Sequence, residues 1–137
     1  MKTFVVSAVS IVLVSILFCP MVMAAPPMPD DLQIVQPDPS LPKELSAFFG
    51  KWEGSSAQNR YFLIVEKIDG EKARLYVWTN MQDRPSGWRR EEGKVTKERG
   101  KYTIRYSGIL GNTELTLKGE YLNLSAPSYT IRLIRVQ

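Results

Sequence analysis

The residues of this chain that are best suited to binding a small molecule surround one polar loop. Trp78 and Trp88 flank residues 80–87, and Tyr76 lies two positions before the first tryptophan. An indole combines an apolar face with one N–H donor, so two of them beside a loop can form a wall of a ligand site. We therefore predict a ligand-binding site made by Trp78, Trp88, Tyr76 and Arg84. The alternative is that the two tryptophans seal the core or cover an opening.

The sequence contains few of the residue types that carry out catalysis. The chain contains no histidine and one cysteine, Cys19. This composition leaves out the Ser-His and Cys-His pairs that activate nucleophiles, and the His and Cys ligands that zinc and copper prefer. Glu53 and Glu66 are carboxylates of the kind that glycosidases use in pairs, but their spacing does not require such a role. We expect a protein that is not an enzyme and that uses no metal and no cofactor.

The charge of the chain is mildly positive. Eighteen Lys and Arg residues stand against fourteen Asp and Glu residues, which gives a formal net charge of +4. This balance does not favour nucleic acid as a partner. The segment from Trp88 to Arg105 is basic with acids interleaved. It is either a surface for an anionic partner or a solvated face with cross-strand ion pairs, and the interleaved acids favour the second interpretation.

The first residues have the composition of a secretory signal. Lys2 is followed by the apolar segment from Phe4 to Phe18, and Val22 and Ala24 are the small residues expected before a cleavage site. We predict export to the periplasm or the medium, with residues 1–24 removed. The alternative is an uncleaved segment, through which alone the chain would contact a membrane. Cleavage removes the single cysteine, so the domain must bury a sufficient core without disulfides.

Residues 25–40 are rich in proline and are interpreted as an extended arm or linker. Leu32, Ile34 and Val35 are the apolar side chains through which this arm could dock on the domain. The arm is also the predicted contact for a protein partner.

A short helix is predicted directly after the arm. Ser40 places a hydroxyl near the N-cap. Leu45, Phe48 and Phe49 recur at the spacing of one helical face. Gly50 follows as the predicted C-terminal stop. A helix this short must pack against the rest of the domain.

From Gly50 onward the chain has the pattern of eight strands separated by turns. Strands connected in sequence order are most economically an antiparallel up-and-down meander, and closing it into a barrel removes both edges. We therefore predict that residues 41–137 form an all-β, eight-stranded antiparallel barrel preceded by a short helix. A sandwich and an open curled sheet are the alternatives. The predicted strands are Gly50–Ser56, Arg60–Asp69, Lys72–Thr79, Trp88–Thr96, Lys101–Ile109, Thr113–Lys118, Tyr121–Ser125 and Tyr129–Val136.

Closure makes a specific demand on the two terminal strands. In an even-stranded meander, the C-terminal end of the last strand lies beside the N-terminal end of the first. If Trp52 and Arg135 both point inward under period-two alternation, they meet at that end. A guanidinium stacked on an indole is a cation–π contact of roughly 0.5–2 kcal/mol. Arg132, on the opposite face, is the partner if the register differs.

This pattern of a short helix, Gly-x-Trp at Gly50 and Trp52, eight strands and a terminal Arg135 resembles the calycin superfamily. That superfamily contains lipocalins, avidins and fatty-acid-binding proteins, and the resemblance covers about residues 41–137. It implies that Gly50, Trp52, Arg135 and Phe48 belong to the floor of the barrel. It also implies a small apolar or amphipathic ligand at the open end.

The alternative function is a structural or protein-interaction module whose barrel is filled by side chains. The mature chain, and DLQIVQPDPSLPKELSAFFGKWEG above all, also resembles a group of small exported bacterial proteins with no assigned function. This second resemblance supports the predicted compartment.

Overall fold

The structure is a computed structural model that describes residues 24–57 and 59–137, so the predicted signal segment lies almost wholly outside the described residues. It consists of one helix and eight strands: α1 (Lys43–Ser46), β1 (Gly50–Ser56), β2 (Asn59–Ile68), β3 (Lys72–Thr79), β4 (Gly87–Glu98), β5 (Lys101–Gly108), β6 (Gly111–Lys118), β7 (Tyr121–Ala126) and β8 (Tyr129–Val136). In this part of the chain, no helix has the length and apolar character needed to cross a membrane.

The eight strands form a closed antiparallel barrel in the order of the sequence. β8 closes it by pairing with β1, where Trp52 lies opposite Arg135 and Lys51 lies opposite Val136. The predicted all-β, up-and-down barrel with a short preceding helix is therefore confirmed. A closed barrel of eight antiparallel strands is compatible with a calycin-like fold.

Alternation along the strands determines which side chains fill the interior. Tyr61, Leu63 and Val65 of β2 belong to the core, as do Leu75 and Val77 of β3. An eight-stranded barrel is narrow enough for side chains alone to fill it. The interior of this barrel is accordingly a packed core through most of its length.

β1, β3 and β8 have the predicted bounds, and the ends of the other strands differ from the predicted ones by at most two residues. β4 and β5 are joined by Arg99 and Gly100, whose φ angles of 52° and 79° are both positive. Positive φ at both central residues gives a turn whose twist matches that of the flanking strands. Because this turn needs only two residues, β4 continues to Glu98, beyond its predicted end at Thr96.

The helix differs from the prediction at both ends. Pro42 is its N-cap, and no side chain caps it by a hydrogen bond in the described structure. The backbone amide of Ser40 instead donates to the carboxylate of Asp38 at 2.8 Å, so the predicted hydroxyl cap is wrong. The C-cap is Ala47, which leaves Gly50 outside the helix. Gly50, with φ of 112°, opens β1.

Candidate functional site

The closed end of the barrel is a compact assembly around one arginine. The guanidinium carbon of Arg135 lies 4.2 Å from the centre of the Trp52 ring. Its nitrogens donate to the backbone carbonyls of Phe49 and Ala47, the latter at 2.6 Å. The Trp52 indole donates to the carbonyl of Phe48 at 2.9 Å. These contacts join β8 and β1 to the chain that leaves α1, so they serve the architecture.

Gly50 provides the space that this arrangement needs. A Cβ atom at this position would lie 2.8 Å from Nη1 of Arg135, and the positive φ disfavours any L side chain. Arg132, the alternative partner, lies elsewhere, with its guanidinium carbon 4.2 Å from the centre of the Tyr121 ring.

The tryptophans of the predicted ligand wall lie on the outer face of the barrel. Phe62, Trp78 and Trp88 are neighbours in register across β2, β3 and β4. They alternate with core residues such as Leu63 and Val77, which point to the interior. Trp78 packs edge to face on Phe62, with ring centres 5.5 Å apart. Trp78 and Trp88 therefore do not line the barrel interior, and ligand binding by them stays a prediction.

The proline-rich arm lies against this outer face. The indole of Trp88 donates to the carbonyl of Pro27 at 2.6 Å, and the hydroxyl of Tyr76 donates to the carbonyl of Asp31 at 3.4 Å. Arg90 forms an ion pair with the Asp31 carboxylate at 2.9 Å and also donates to the Tyr76 hydroxyl. Tyr76, Trp88 and Arg90 thus form a polar contact surface for the arm, which we call the arm-docking face.

The apolar side chains expected to dock the arm contribute less than its backbone does. Ile34 and Val35 are 61% and 45% exposed, whereas Leu32 is half-buried. The arm is held mainly by hydrogen bonds from side chains of the barrel to its main-chain carbonyls and by the ion pair of Arg90 with Asp31. The sequence did not show this, because carbonyl acceptors are the same in every residue.

The arm also covers a buried carboxylate. Glu66 is 1% exposed, and its Oε1 accepts the backbone N–H of Gln33 at 3.0 Å. Its Oε2 makes no hydrogen bond within residues 24–57 and 59–137 and lies 4.0 Å from Nε of Arg74. The other carboxylate considered as a catalytic candidate, Glu53, forms its ion pair with Arg60 at 2.8 Å. Both carboxylates are therefore engaged in contacts with their own chain.

The loop of the predicted ligand site folds towards the turn between β5 and β6. Arg84 donates to the backbone carbonyl of Ile109, and Met81 packs on the core. Nearby, the rings of Tyr61 and Tyr129 lie 6.1 Å apart. Burial raises the pKa of Tyr129 to about 12, and the hydrogen bond with Tyr61 adds to the shift. Side chains of the chain itself thus occupy much of the open end.

Strand pairing is incomplete between β1 and β8, where only residues 51–53 pair with 134–136, and between β4 and β5. β4 and β5 pair between Lys94–Arg105 and Glu98–Lys101, which is the half nearer the closed end. Within the described residues, positions 87–93 of β4 pair only with β3, and positions 106–108 of β5 pair only with β6. Towards the open end the two strands therefore lack ladder hydrogen bonds, and we call this unpaired part their separation.

A cleft of about 960 Å³ lies at this separation. Its volume is within the range of roughly 300–1,000 Å³ that is typical of small-molecule sites. Four residues of the core side form its inner part: Gly93, Val95, Tyr106 and Thr113. Polar and charged residues form its rim: Glu71, Lys72, Glu92, Lys94, Arg105, Ser107, Asn112 and Glu114. The cleft therefore joins an apolar floor to a polar surface.

Tyr106 lines this cleft, but its hydroxyl oxygen is buried and is not exposed to it. The residue is 5% exposed, and the hydroxyl makes no hydrogen bond in the described part of the chain. The neighbouring hydroxyl of Thr113 donates to the carbonyl of Gly111 at 3.2 Å. Burial raises the pKa of Tyr106 well above its usual range; Thr113 opposes this shift and the Glu91 carboxylate adds to it. The phenol therefore stays neutral and can both donate and accept a hydrogen bond.

Glu91 lies in the unpaired part of β4, on the side nearer the open end of the barrel. It is half-buried, and a Cβ atom on Gly108 of the opposite strand would overlap its carboxylate. Among the described residues, the carboxylate has no hydrogen bond and no ion pair. Because Gly108 has no side chain, the side chain of Glu91 can extend across the space between β4 and β5.

The charges on the rim largely pair with one another. Lys72 lies 2.9 Å from Glu92, and Arg105 lies 2.7 Å from Glu114 and 3.3 Å from Glu98. These are the cross-strand ion pairs of a solvated face, the second of the two interpretations of this basic segment.

Sequence reasoning considered Lys94 and Arg105 as part of the basic segment, but it did not predict a cleft. A signal was present, since Gly93 and Gly108 interrupt two strands, and an isolated glycine in a strand often marks a bulge or a close approach.

Comparison of the chain with protein-family models, curated proteins and solved structures gave no match.

Proposed function

We propose that this protein is an exported, calycin-like barrel without enzymatic activity, and that it binds a small amphipathic molecule in the cleft between β4 and β5. The observation that carries the proposal is the cleft of about 960 Å³ beside the unpaired ends of these strands. The signal-like composition of residues 1–24 supports export.

The chemistry of the cleft suits an amphipathic ligand. Val95 offers an apolar surface that belongs to the core, while the rim is polar. The apolar surface of Val95 beside a polar rim therefore suits a molecule with one polar end.

The position of the arm favours the cleft, and not the predicted tryptophan wall, as the ligand site. Trp88 and Tyr76 already bond to Pro27 and Asp31, so a ligand at the arm-docking face would have to displace the arm. The cleft, in contrast, is not lined by residues of the arm, so a ligand there would not have to displace it.

A structural or protein-interaction module remains the second candidate. One observation favours it: Arg84 and Met81 fold over the open end, which leaves the central part of the barrel filled. In that case the cleft is a solvated irregularity of the wall.

Binding of the neutral fluorescent probe Nile red distinguishes these candidates. Ser107→Trp places a bulky ring on the exposed rim of the cleft, and Ser55→Trp is the matched control on the exposed end of β1. We expect saturable binding to the wild-type protein and to the control, and at least about tenfold weaker binding to Ser107→Trp. Equal binding by both variants, or no probe binding together with no ligand in native mass spectra of protein from its own host, contradicts the proposal.

A further inference from the structure

We propose that the arm-docking face is a binding site for a proline-rich segment with an acidic turn from another protein, and that the arm of this chain occupies the site in the structure. The inference goes beyond the proposed function, because it concerns the outer wall formed by β2–β4 and not the cleft between β4 and β5. The apolar composition of the wall, the types of its contact residues and a buried carboxylate oxygen without a partner support it.

The outer wall beneath the arm has the composition of a binding groove. Phe62 and Ile64 alternate with the core residues Tyr61 and Leu63, so they lie on the outside of the barrel. They are nevertheless buried, as is Tyr76, which lies opposite Ile64 in the ladder. A contiguous apolar patch on the outside of a protein marks an interaction site. The arm contacts this wall and is its present occupant.

The residues that hold the arm are of the types that dominate protein–protein interfaces. Trp88 and Tyr76 donate to main-chain carbonyls of the arm, and Arg90 forms an ion pair with Asp31. Trp, Tyr and Arg are the most enriched types among the residues that carry binding energy, since each combines a large side chain with hydrogen-bond donors. The arm-docking face therefore has the chemistry of a peptide site.

The conformation of the arm shows which kind of segment fits. The amide of Leu32 donates to the carbonyl of Pro29 at 3.2 Å, which closes a turn with Asp30 and Asp31 at its centre. This turn directs both the carbonyl and the carboxylate of Asp31 at the barrel. Proline restricts the chain before the turn, and aspartate is a common turn residue. A matching segment is therefore rich in proline and carries an acid at the turn.

One carboxylate of the wall is only partly satisfied by the arm. Glu66 lies at a bulge of β2, where the pairing with β3 shifts between Val65 and Lys67. Bulges redirect side chains and are frequent next to functional sites. Oε1 of Glu66 accepts the amide of Gln33, whereas the buried Oε2 has no hydrogen bond in the described part of the chain and lies 4.0 Å from Arg74. A segment that offers a second donor here would bind more tightly than the arm does.

The charges of the wall favour an acidic segment. Arg60 forms an ion pair with Glu53, and Arg74 lies closest to Glu66. The ion pair of Arg90, in contrast, is with the arm. A carboxylate at the turn is therefore attracted to Arg90, whereas a cation at the same place would be repelled.

The arm is attached to the barrel at one end. Residues 36–42 connect it to α1, and the predicted cleavage after Ala24 would leave its other end free. A competing segment can therefore take the contact with Trp88 first, while the rest of the arm still covers the wall. Because the arm belongs to the same chain, it competes at a high effective concentration. A segment added in solution should therefore bind better when the arm is weakened.

The experiment measures binding of a fluorescently labelled peptide with the sequence of residues 25–36 by fluorescence anisotropy. Asp31→Arg in the protein places a cation against Arg90 and should release the arm. We expect this variant to bind the peptide at least about tenfold more tightly than the wild type does. Adding Arg90→Glu to Asp31→Arg should restore the ion pair within the chain and remove the gain.

Asp30→Arg is the matched control for this experiment. It makes the same change of charge one position earlier, at an exposed residue that forms no ion pair in the described structure. It should bind the peptide as weakly as the wild type does. Because both aspartates are exposed, thermal melting of the two variants should match the wild type, which excludes misfolding as the cause of a difference.

Two results would overturn the inference. The first is equal binding of the peptide by Asp31→Arg and Asp30→Arg, which includes the case that no variant binds it saturably. The second concerns the alternative occupant, the arm of a second copy of this chain. If Asp31→Arg and Arg90→Glu chains form a heterodimer in native mass spectra without added peptide, two copies exchange their arms, and the assignment of the site to another protein is wrong.

Discussion

The guanidinium of Arg135 lies 4.2 Å from the centre of the Trp52 ring, and the same side chain binds the carbonyls that follow α1. One residue near the end of the chain thus holds the first strand and the helix in place. The pairing of β1 with β8 brings the two residues directly opposite each other.

Removing the indole from the closed end should destabilise the barrel strongly. Trp52 is 1% exposed. We expect Trp52→Ala to lower the free energy of unfolding by roughly 3–5 kcal/mol, as for other buried tryptophans. Chemical denaturation measures this change. Arg132→Ala is the control, because it removes an exposed arginine that also contacts an aromatic ring. It should lower the free energy of unfolding by less than about 1 kcal/mol. An unaltered unfolding midpoint in Trp52→Ala would show that the residue does not anchor the floor.

A methyl group at the start of β1 should also be costly. Gly50→Ala forces a side chain onto a φ of 112° and into contact with Arg135. We expect a loss of roughly 1–3 kcal/mol, the usual cost of a strained backbone conformation. Gly87→Ala is the control, because no atom lies within 4 Å of its added Cβ and its φ is not positive. Equal stabilities of the two variants would argue against the tight approach of Arg135.

The arm should loosen when its side-chain donors are removed. In Arg90→Ala the ion pair with Asp31 is lost, and in Trp88→Phe the hydrogen bond to Pro27 is lost. We expect faster proteolysis within residues 25–40 and faster exchange of the Gln33 amide, with little change in the melting temperature of the barrel. Arg89→Ala is the neighbouring control, since that side chain is exposed and lies on the opposite face of β4 from Arg90. Unchanged cleavage rates in both donor variants would show that the arm is held by other contacts.

The space beside Glu91 can be tested by a double-mutant cycle. A methyl group in Gly108→Ala overlaps the Glu91 carboxylate and should displace it from the gap. We expect Gly108→Ala alone to lower stability and Glu91→Ala alone to leave it nearly unchanged, with the double variant recovering part of the loss. An interaction energy of at least about 0.5 kcal/mol is typical of residues in direct contact. Strict additivity would mean that the carboxylate does not occupy the gap.

The tyrosines of the open end should make the barrel less stable in strong base. The folded pKa of Tyr129 is raised to about 12, above its ordinary value of 10.0, chiefly by burial. Between these values the unfolded chain loses its phenol proton while the folded chain keeps it. Unfolding then becomes easier, so stability is full below pH 10 and falls as the pH rises towards 12. Denaturation at a series of pH values should show a smaller fall for Tyr129→Phe than for Tyr121→Phe, on the outside of β7.

Sequence reasoning reached the barrel because its evidence is periodic and local. Alternating residues in eight segments and glycine turns such as Arg99-Gly100 agree on one architecture, and closure then places Trp52 opposite Arg135. Consistency among these levels is what makes a fold predictable.

The candidate site was harder to predict because it depends on an interruption of that regular pattern. The separation of β4 from β5 leaves no mark except glycines such as Gly93 and Gly108. The tryptophans attracted attention by residue type alone. Alternation from Val77 would have placed Trp78 outside the barrel. Docking of the arm was predicted, but its place on the barrel could not be, because many of its contacts are with backbone carbonyls.

The way the arm is held has a consequence for how freely it can vary. Side chains of the barrel form hydrogen bonds with main-chain atoms of Pro27 and Asp31. Most side chains of the arm therefore project away from the contact. Many different sequences can therefore adopt the same path, provided that they remain extended and keep an acid near Arg90. The predicted cleavage after Ala24 would leave both of these contacts intact, so a processed chain would still carry its own cover.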